Sequence, residues 1–223
     1  MQVPSEWILD ALFHQADPLP SDAQDPRLRA RCDDSATGLF DKKVCHLSVS
    51  IKKNGLIASC NQTSGSFCAV ATNITVATGT HFMEFIVSGQ YAMVGICLTS
   101  QLKQAISSNQ GCYVQSGGYM FQVLQNKTWH QGQAQGSTTP AVSSTKSRIG
   151  VLLDMNKRKV EFRVNGKRTG FGYYHLPKGK YTFCADMYQV STATIHKYTT
   201  AEQSDVDSAN DDASDDASDS VDE

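Results

Sequence analysis

The segment from Arg148 to Gly166 constrains the fold of this chain more than any other stretch. Apolar residues recur at every second position in both of its halves (Ile149, Val151, Leu153, Val160, Phe162, Val164). Such alternation indicates β-strands with one face buried and the other face in water. Asn165–Gly166, at the end of the second strand, tolerates the positive φ angles of a tight turn. The chain therefore contains antiparallel sheet, and the rest of the fold must cover its apolar face.

Short strands separated by turn signals are expected along most of the chain. Turn-forming residues punctuate it repeatedly (Lys53–Gly55, Ser64–Ser66, Ser88–Gly89, Asn109–Gly111, Lys178–Gly179). This pattern favours an all-β sandwich, with a short helical turn around Ser100–Ser107. At 223 residues the chain can hold one such domain with extensions, large enough to be stable without disulfides or a metal.

Other segments carry motifs built from glycine, aromatic and small apolar residues (Leu47–Ser50, Asn54–Leu56, Gly79–Phe85, Tyr91–Cys97, Gln115–Tyr119). Together with Arg148–Gly166 they resemble, in order and spacing, the SPRY family of binding modules over about residues 45–198. The resemblance implies a bent antiparallel β-sandwich that recognises a peptide or protein epitope through loops at one end. It also implies that the protein uses no catalytic residues, no cofactor and no metal.

The sequence divides into four parts. Residues 1–20 are predicted to contain a short amphipathic helix, with Ser5 as its N-cap and Ile8 and Leu12 on its apolar face. Residues 21–44 are a polar connector, and residues 45–198 form the sandwich. Residues 199–223 are an acidic, low-complexity tail, which is predicted to be disordered because it is too polar to fold alone.

Charge is distributed unevenly between the body and the tail. From Ser204 onward there are nine acidic residues and no basic ones, which leaves 13 acidic against 20 basic residues in the rest. We expect the tail to compete with acidic ligands for the basic residues of the body. Ser204, Ser208 and Ser220 each precede an acidic residue by three positions, a spacing typical of acid-directed phosphorylation sites. A tail that only increases solubility is the alternative.

The sequence predicts an intracellular protein that is not an enzyme. Its seven cysteines include no CxxC pair and no Cys/His cluster at zinc spacing, which favours a reducing compartment, the cytoplasm or the nucleus. Cys97 and Cys184 lie in apolar strands and are expected to be small core residues. The apolar runs are too short to cross a membrane, and neither a GxSxG elbow nor a phosphate-binding loop occurs. Sequons at Asn61, Asn73 and Asn126 leave an extracellular glycoprotein as an alternative.

Aromatic residues near predicted loops are the main candidates for partner binding. Trp129 and His130 precede a segment rich in Gly, Gln, Ser and Thr, and Tyr173, Tyr174 and His175 follow a hairpin. Tryptophan and tyrosine dominate interface hot spots because they bury much area at a modest cost in entropy. For Trp129 and Tyr173 a place in the core is an equally good interpretation.

Other apolar residues nearby divide between core and surface. Phe171 and Tyr181 are expected in the core. Leu102 and Ile106 fall, by position, in a loop that often contributes to the ligand surface in the SPRY family. We therefore predict that Leu102 and Ile106 belong to the partner-binding surface.

A second candidate surface is basic. Arg163, Lys167 and Arg168 lie on the predicted hairpin, where they would attract an acidic peptide, a nucleic acid or the tail. A solvated sheet face is the alternative. Nucleic-acid binding usually needs aromatic residues interleaved with basic ones along a groove. That pattern does not occur here, so nucleic acid is not expected as the partner.

The predicted function is non-catalytic protein–protein interaction, in which the loops of the sandwich bind a peptide or loop epitope. Val3–Phe13 resembles the opening of an F-box, so one alternative is a substrate-recognition adaptor whose N-terminus binds ubiquitin-ligase subunits. Pro20 and Pro26 interrupt the helices that an F-box would continue, which favours a simple helix packed on the sandwich. A nucleoprotein-associated module that uses the basic residues is the other alternative, and no membrane is expected as a partner.

Overall fold

The computed structural model describes residues 38–62, 65, 67–89, 91–122, 125–136 and 146–201. These residues form two antiparallel sheets of seven strands each. In spatial order the first sheet contains β1 (Phe40–Cys45), β4 (Cys68–Val76), β13 (Tyr181–Met187), β6 (Met93–Leu98), β7 (Gly118–Gln122), β8 (Lys127–His130) and β9 (Gln133–Gly136). The second contains β12 (Lys167–Tyr174), β11 (Lys159–Val164), β10 (Lys146–Asp154), β5 (Thr80–Ser88), β14 (Ser191–Ala201), β3 (Ile57–Cys60) and β2 (Val49–Lys52).

Helical structure within the described residues is confined to short segments. The α-helix α1 spans Leu102–Ser107 and directly follows a 3-10 turn at Thr99–Gln101. Two further 3-10 turns lie at Lys53–Gly55 and Cys112–Val114. The helical turn predicted around Ser100–Ser107 is therefore confirmed. None of the helices in this part of the chain is long and apolar enough to span a membrane.

The hairpins around β11 follow the predicted pattern. Strands β10 and β11 pair from Ile149 with Val164 to Asp154 with Lys159. The next turn, between β11 and β12, is Asn165–Gly166, with φ angles of 49° and 79°. Positive φ at both central residues is the geometry that matches the right-handed twist of the paired strands. The prediction of a tight Asn-Gly turn is confirmed.

The core lies between the inner faces of the two sheets. Phe121 of β7 and Phe162 of β11 stack across it with ring centroids 5.4 Å apart, and both are fully buried. Tyr181 is also fully buried, and Phe171 packs against the cluster from a half-buried position, as predicted for these two residues. Each large apolar side chain buried in this way contributes about 1.5–3 kcal/mol to stability.

Gly95, in the centre of the first sheet, lets β6 and β7 approach closely. A Cβ atom at this position would lie 2.0 Å from the carbonyl oxygen of Tyr119 on β7. No side chain can be accommodated at that distance without moving the backbone of one strand. The glycine of the Tyr91–Cys97 motif is therefore required by the packing of the sheet.

The outer face of the second sheet differs from the prediction, because it is not uniformly wet. Leu152 and Arg163 point away from the core yet are only 4 % and 5 % exposed. Phe82 of β5 lies across the same face and covers Gly150, where a Cβ atom would be 2.6 Å from its ring. Alternation alone could not reveal this cover, because it reports which residues share a face and not what lies above them.

A smaller apolar cluster covers the outer face of the first sheet, the face turned away from the core. Leu102 and Ala105 of α1 pack there with buried small and sulfur-containing residues (Ala69, Ala71, Met93, Cys97, Cys112, Met120, Cys184). Cys97 and Cys184 are thus buried, as predicted. Leu102 is only 4 % exposed, because the helix turns it toward the sheet. Its burial corrects the expectation that it belongs to a partner-binding surface.

The limits of the sandwich differ by a few residues from the predicted 45–198. Strand β1 begins at Phe40, inside the predicted connector, and β14 continues to Ala201, inside the predicted tail. The predicted N-terminal helix, the F-box-like segment and the phosphorylation candidates Ser204, Ser208 and Ser220 lie outside the described residues.

Candidate binding pocket

A cavity of about 400 Å³ opens at one end of the first sheet, on its outer face. Five aromatic residues line it: Phe67, Tyr91, Tyr113, Trp129 and Tyr188. All five are half-buried, so their rings are both held by the protein and accessible from solvent. An apolar, concave site with few polar groups is the usual form of a ligand pocket.

Strand pairing explains why these residues meet. Five residues, one on each of five neighbouring strands of the first sheet, lie directly opposite one another and form a row across the sheet (Ala69, Asp186, Met93, Gln122, Lys127). The row lies where β4, β6 and β8 begin and where β13 and β7 end. Phe67, Tyr91 and Tyr188 each lie two positions beyond this row along their strands. Because side chains alternate, they emerge on the same face as the row.

The rings of the pocket support one another. Phe67 packs edge-on against Tyr113 with centroids 4.8 Å apart, and it packs in a tilted arrangement against Tyr188 at 5.1 Å. Tyr91 meets Tyr188 edge-to-face at 5.5 Å, and Trp129 meets Tyr113 in the same way at 5.5 Å. Edge-to-face pairs of this kind are each worth about 0.5–1.5 kcal/mol beyond the area they bury. The walls of the pocket are therefore preorganised before any ligand enters.

Three glutamines contribute polar groups to the pocket besides those of its aromatic residues. The indole Nε1 of Trp129 donates a hydrogen bond of 2.9 Å to Oε1 of Gln122, which is itself buried and fixes the ring plane. Gln125 and Gln189 also line the cavity, with Gln125 exposed and Gln189 half-buried. Their amides are free to hydrogen-bond a peptide backbone laid across the opening.

Asp186 lies behind the aromatic wall and is fully buried. Its Oδ2 accepts a hydrogen bond of 2.9 Å from the backbone N–H of Tyr113. Burial raises the pKa of this carboxyl from its ordinary 3.8 to about 6, although hydrogen bonds from the backbone of Cys112 and Tyr113 act in the opposite direction. The buried charge also raises the pKa of the Tyr113 phenol, a wall of the pocket, after the larger effect of burial.

The thiols beneath the pocket are not suited to nucleophilic chemistry. The pKa of Cys97 is raised, first by its hydrogen bond with Cys112 and then by burial. Burial raises the pKa of Cys184 to about 11, and its thiol donates to Sδ of Met120 at 3.6 Å. A cysteine held as the neutral thiol is a poor nucleophile. In the part of the chain that the structure describes, no group of three or more His, Cys, Asp or Glu could hold a metal ion.

The structure separates the residues that the sequence grouped around Trp129. Trp129 lines the pocket, but His130, its neighbour on β8, points into the sandwich, where it stacks on Tyr119 at 4.3 Å. Tyr173 joins that inner group, 5.0 Å from the Tyr119 ring, and burial raises the pKa of its phenol. Tyr174 is 62 % exposed on the opposite face of β12. Period-two alternation therefore places consecutive aromatic residues in different environments.

The remaining predicted partner-binding residues lie away from the pocket. His175 is exposed beside Tyr174, at the end of the sandwich opposite the pocket, where β10 ends and β11 begins. Lys167 and Arg168 are exposed on β12, whereas Arg163 is buried, which corrects its expected place on an open basic surface. Ile106 is half-buried against the cluster beneath α1.

Sequence reasoning missed four of the five aromatic residues in the pocket. Phe67, Tyr91, Tyr113 and Tyr188 belong to four separate connections and carry no shared motif. The signal that could have identified them is their position in the alternation of inward-facing and outward-facing residues along the strands. Phe67, Tyr91 and Tyr188 extend the outward-facing positions of neighbouring strands by one step, and Tyr113 lies in the turn before β7.

Comparison with known proteins supports the fold. No protein-family model matches the sequence, and no curated protein sequence is significantly similar to it. The PSpry domain of TRIM65 matches with a TM-score of 0.59 at 17 % identity, over 73 % of this chain and 93 % of that one. The SPRY domain of human HERC1 matches with a TM-score of 0.53 at 18 % identity, over 70 % of this chain and 96 % of that one.

Stonustoxin also shares the fold, with a TM-score of 0.58 at 14 % identity. The match covers 72 % of this chain but only 27 % of stonustoxin. At such identities the similarity concerns architecture. The chain has a SPRY-type β-sandwich, as its motifs predict.

Proposed function

We propose that this protein is a non-catalytic recognition module, and that it binds an extended peptide or loop of a partner protein by one anchor side chain in the aromatic pocket. The observation that carries the proposal is the preorganised cavity of about 400 Å³ with five aromatic walls. The SPRY-type fold supports it, because such sandwiches generally serve as interaction modules.

The geometry suits an anchor rather than a flat contact. A side chain that enters the cavity is surrounded by Phe67, Tyr113 and Trp129, and its burial removes apolar area from water on both partners. Gln125 and Gln189 stand beside the opening, where they can pair with the peptide backbone on either side of the anchor. Buried anchors with polar surroundings are the usual source of affinity at small interfaces.

The experiment is selection of binders from a random peptide library with the full chain, followed by affinity measurements on pocket variants. Tyr91→Ala and Tyr188→Ala each remove a half-buried aromatic wall; the two rings contact each other, and Tyr188 also contacts Phe67. We expect each variant to weaken the selected peptides at least tenfold, because truncated hot-spot aromatics cost about 2 kcal/mol or more. Tyr174→Ala is the matched control, an exposed tyrosine at the opposite end.

The control also tests the other predicted surface. Selected peptides that lose affinity with Tyr174→Ala or Lys167→Ala, and keep it with Tyr188→Ala, would move the function to strand β12. That outcome would contradict the proposal for the pocket while leaving a recognition module in place.

We further propose that the protein works in a reducing compartment, the cytoplasm or the nucleus. Cys97, Cys112 and Cys184 carry free thiols that contact one another beneath the pocket. Asn126, one of the sequon asparagines, is only 8 % exposed, which does not favour glycosylation. Mass spectrometry of the native protein, with and without thiol alkylation, would test this proposal, and a glycan mass would contradict it.

A further inference from the structure

The carboxylate of Asp186 is a buried charge directly behind the pocket. It is fully buried, and among the described residues Oδ1 has no hydrogen-bond partner. A Cβ atom placed on Gly111 would lie 2.8 Å from Asp186 Oδ2 and 3.1 Å from Phe67 Cβ. The carboxylate therefore lies close beneath Phe67 and Tyr113, which are two walls of the cavity.

The groups around this carboxylate do not neutralise it. Its charge acts on the thiols of β4, β6, β13 and the 3-10 turn and on one phenol, all of them acids (Cys68, Cys97, Cys184, Cys112, Tyr113). The ion pairs found among the described residues join Glu84 or Glu161 to basic partners and do not include Asp186.

Two basic side chains on this side of the sheet have contacts elsewhere. His46 hydrogen-bonds Oδ1 of Asn109 at 2.6 Å. Lys127 shares the outer face but is three strands from Asp186, and its chain runs over Gly136 toward the sheet edge. Within the part of the chain that the structure describes, no ion pair neutralises the negative charge behind the pocket.

The walls add to this negative potential. The face of an aromatic ring carries the negative part of its quadrupole, and a cation within about 6 Å of the ring centre is attracted to it. Five rings surround this cavity, and none of the described residues that line it carries a charged side chain. Aromatic rings and a buried carboxylate together favour a positively charged ligand group.

The hydrogen-bonding needs of the ligand group narrow the kind of cation. Gln122 Oε1, a buried acceptor of the lining, already receives the Trp129 indole N–H. A primary ammonium that entered would have to exchange its hydrogen bonds to water for bonds to the tyrosine hydroxyls and to the amides of Gln125 and Gln189. A quaternary ammonium has no N–H to satisfy, so it keeps the attraction of the rings without that exchange.

We propose that the anchor side chain taken by this pocket is a trimethylated lysine of a partner protein, held by the five aromatic rings and by the buried charge of Asp186. This inference rests on the proposed function, because it names the chemistry of the anchor. The linear stem of the side chain would cross the opening beside Gln125 and Gln189.

The experiment compares three capped pentapeptides that differ at one central residue: trimethyllysine, lysine, and the neutral isostere in which carbon replaces the quaternary nitrogen. Binding to the full chain is followed by the NMR shift of the Trp129 indole N–H. We expect trimethyllysine to bind about tenfold more tightly than either of the other peptides, the scale of a desolvated cation–π contact.

Equal affinity for trimethyllysine and its carbon isostere would overturn the inference, because the pocket would then respond to shape alone. Tighter binding of plain lysine would overturn it as well. Library peptides bound in the pocket would keep the proposed function intact in both cases. Only the loss of all pocket-dependent peptide binding would defeat the proposed function itself.

Asp186→Asn tests the source of the selectivity, since it preserves shape and removes the charge. We expect the preference for trimethyllysine over the isostere to fall severalfold, with affinity for the isostere unchanged. In the wild-type protein the same preference should fall as the pH drops below 6, where the carboxyl becomes protonated. Tyr174→Leu, at the opposite end, should change neither the preference for trimethyllysine nor the affinity for the isostere. An unaltered preference in Asp186→Asn would overturn the role of the carboxylate.

Discussion

Replacing Asp186 by asparagine measures how much stability the protein loses by burying a carboxylate. The pKa of this group is 3.8 when unperturbed and about 6 in the folded protein, because burial disfavours the charged form. The folded state therefore binds the proton more tightly than the unfolded state. Its contribution to stability is fully present below pH 4 and is lost as the pH rises through 6.

The size of the effect follows from the two pKa values. A shift of one unit corresponds to about 1.4 kcal/mol, so above pH 6 the ionised carboxylate lowers the free energy of unfolding by about 3 kcal/mol. Asparagine carries no charge at any of these pH values and retains an oxygen to accept the N–H of Tyr113. Its amide N–H groups lack the water they bonded in the unfolded chain, which offsets about 1–2 kcal/mol of the gain.

The assay is urea denaturation at five pH values between 4 and 8, followed by circular dichroism, for wild type and Asp186→Asn. We expect the variant to gain about 2–3 kcal/mol relative to wild type between pH 4 and pH 8. Other titrating groups are common to both proteins and cancel in the difference. Asp186→Ala should show the same pH-dependent difference on a lower baseline, since it also leaves a cavity.

Parallel stability curves for wild type and Asp186→Asn across this range would refute the reasoning. They would mean that the carboxyl titrates as an ordinary exposed group and is not held in the buried site that the structure shows. The inference about a cationic ligand would then lose its electrostatic basis as well.

Three further outcomes are expected. Phe162→Ala should lower the free energy of unfolding by about 3–5 kcal/mol in urea titrations, because the ring is buried against Phe121; a loss under 1 kcal/mol would contradict that packing. Gly95→Ala should prevent folding or destabilise the protein by more than 3 kcal/mol, as judged by thermal melting, because its Cβ would meet a carbonyl oxygen at 2.0 Å. Gly136→Ala is its control, since the nearest atom there is 3.4 Å away on a flexible lysine. Deletion of residues 204–223 should strengthen the binding of a polyglutamate peptide at low salt and have no effect at high salt, and unchanged affinity at low salt would show that the tail does not screen the body.

The architecture could be predicted from the sequence, whereas the pocket could not. The reason is that the architecture depends on interactions between residues close in sequence, and the pocket depends on interactions between distant ones. The alternation around Val160 and the Asn165–Gly166 turn depend on neighbouring residues, so both could be predicted. Phe67 and Tyr188 meet only because β4 and β13 pair at a distance of more than a hundred positions in the chain. A single sequence contains no local signal for that pairing.

The residues whose surroundings were predicted wrongly show the same limit of reasoning from neighbouring positions. His130 and Trp129 were grouped because they are adjacent, yet a strand sends adjacent side chains to opposite faces. Arg163 was expected in water because its charge and its phase agreed, and only the structure shows that its side of the sheet is covered. The alternation along a strand correctly predicts the face of the sheet on which a side chain lies. Whether that side chain is buried depends on which other residues cover the face.

Alternation within the strands of the first sheet also separates the residues that line the pocket from those that hold the core together. Met93 and Gln122 contribute to the floor of the pocket, whereas Val94 and Phe121, their immediate neighbours, belong to the core between the sheets. Substitutions on the outer positions can thus alter which anchor is accepted while the inner positions keep the domain folded. An insertion of one residue inside β8, ahead of Trp129, would turn that side chain from the pocket toward the core. Descendants of this protein can therefore acquire new partners by point substitutions at the outer positions.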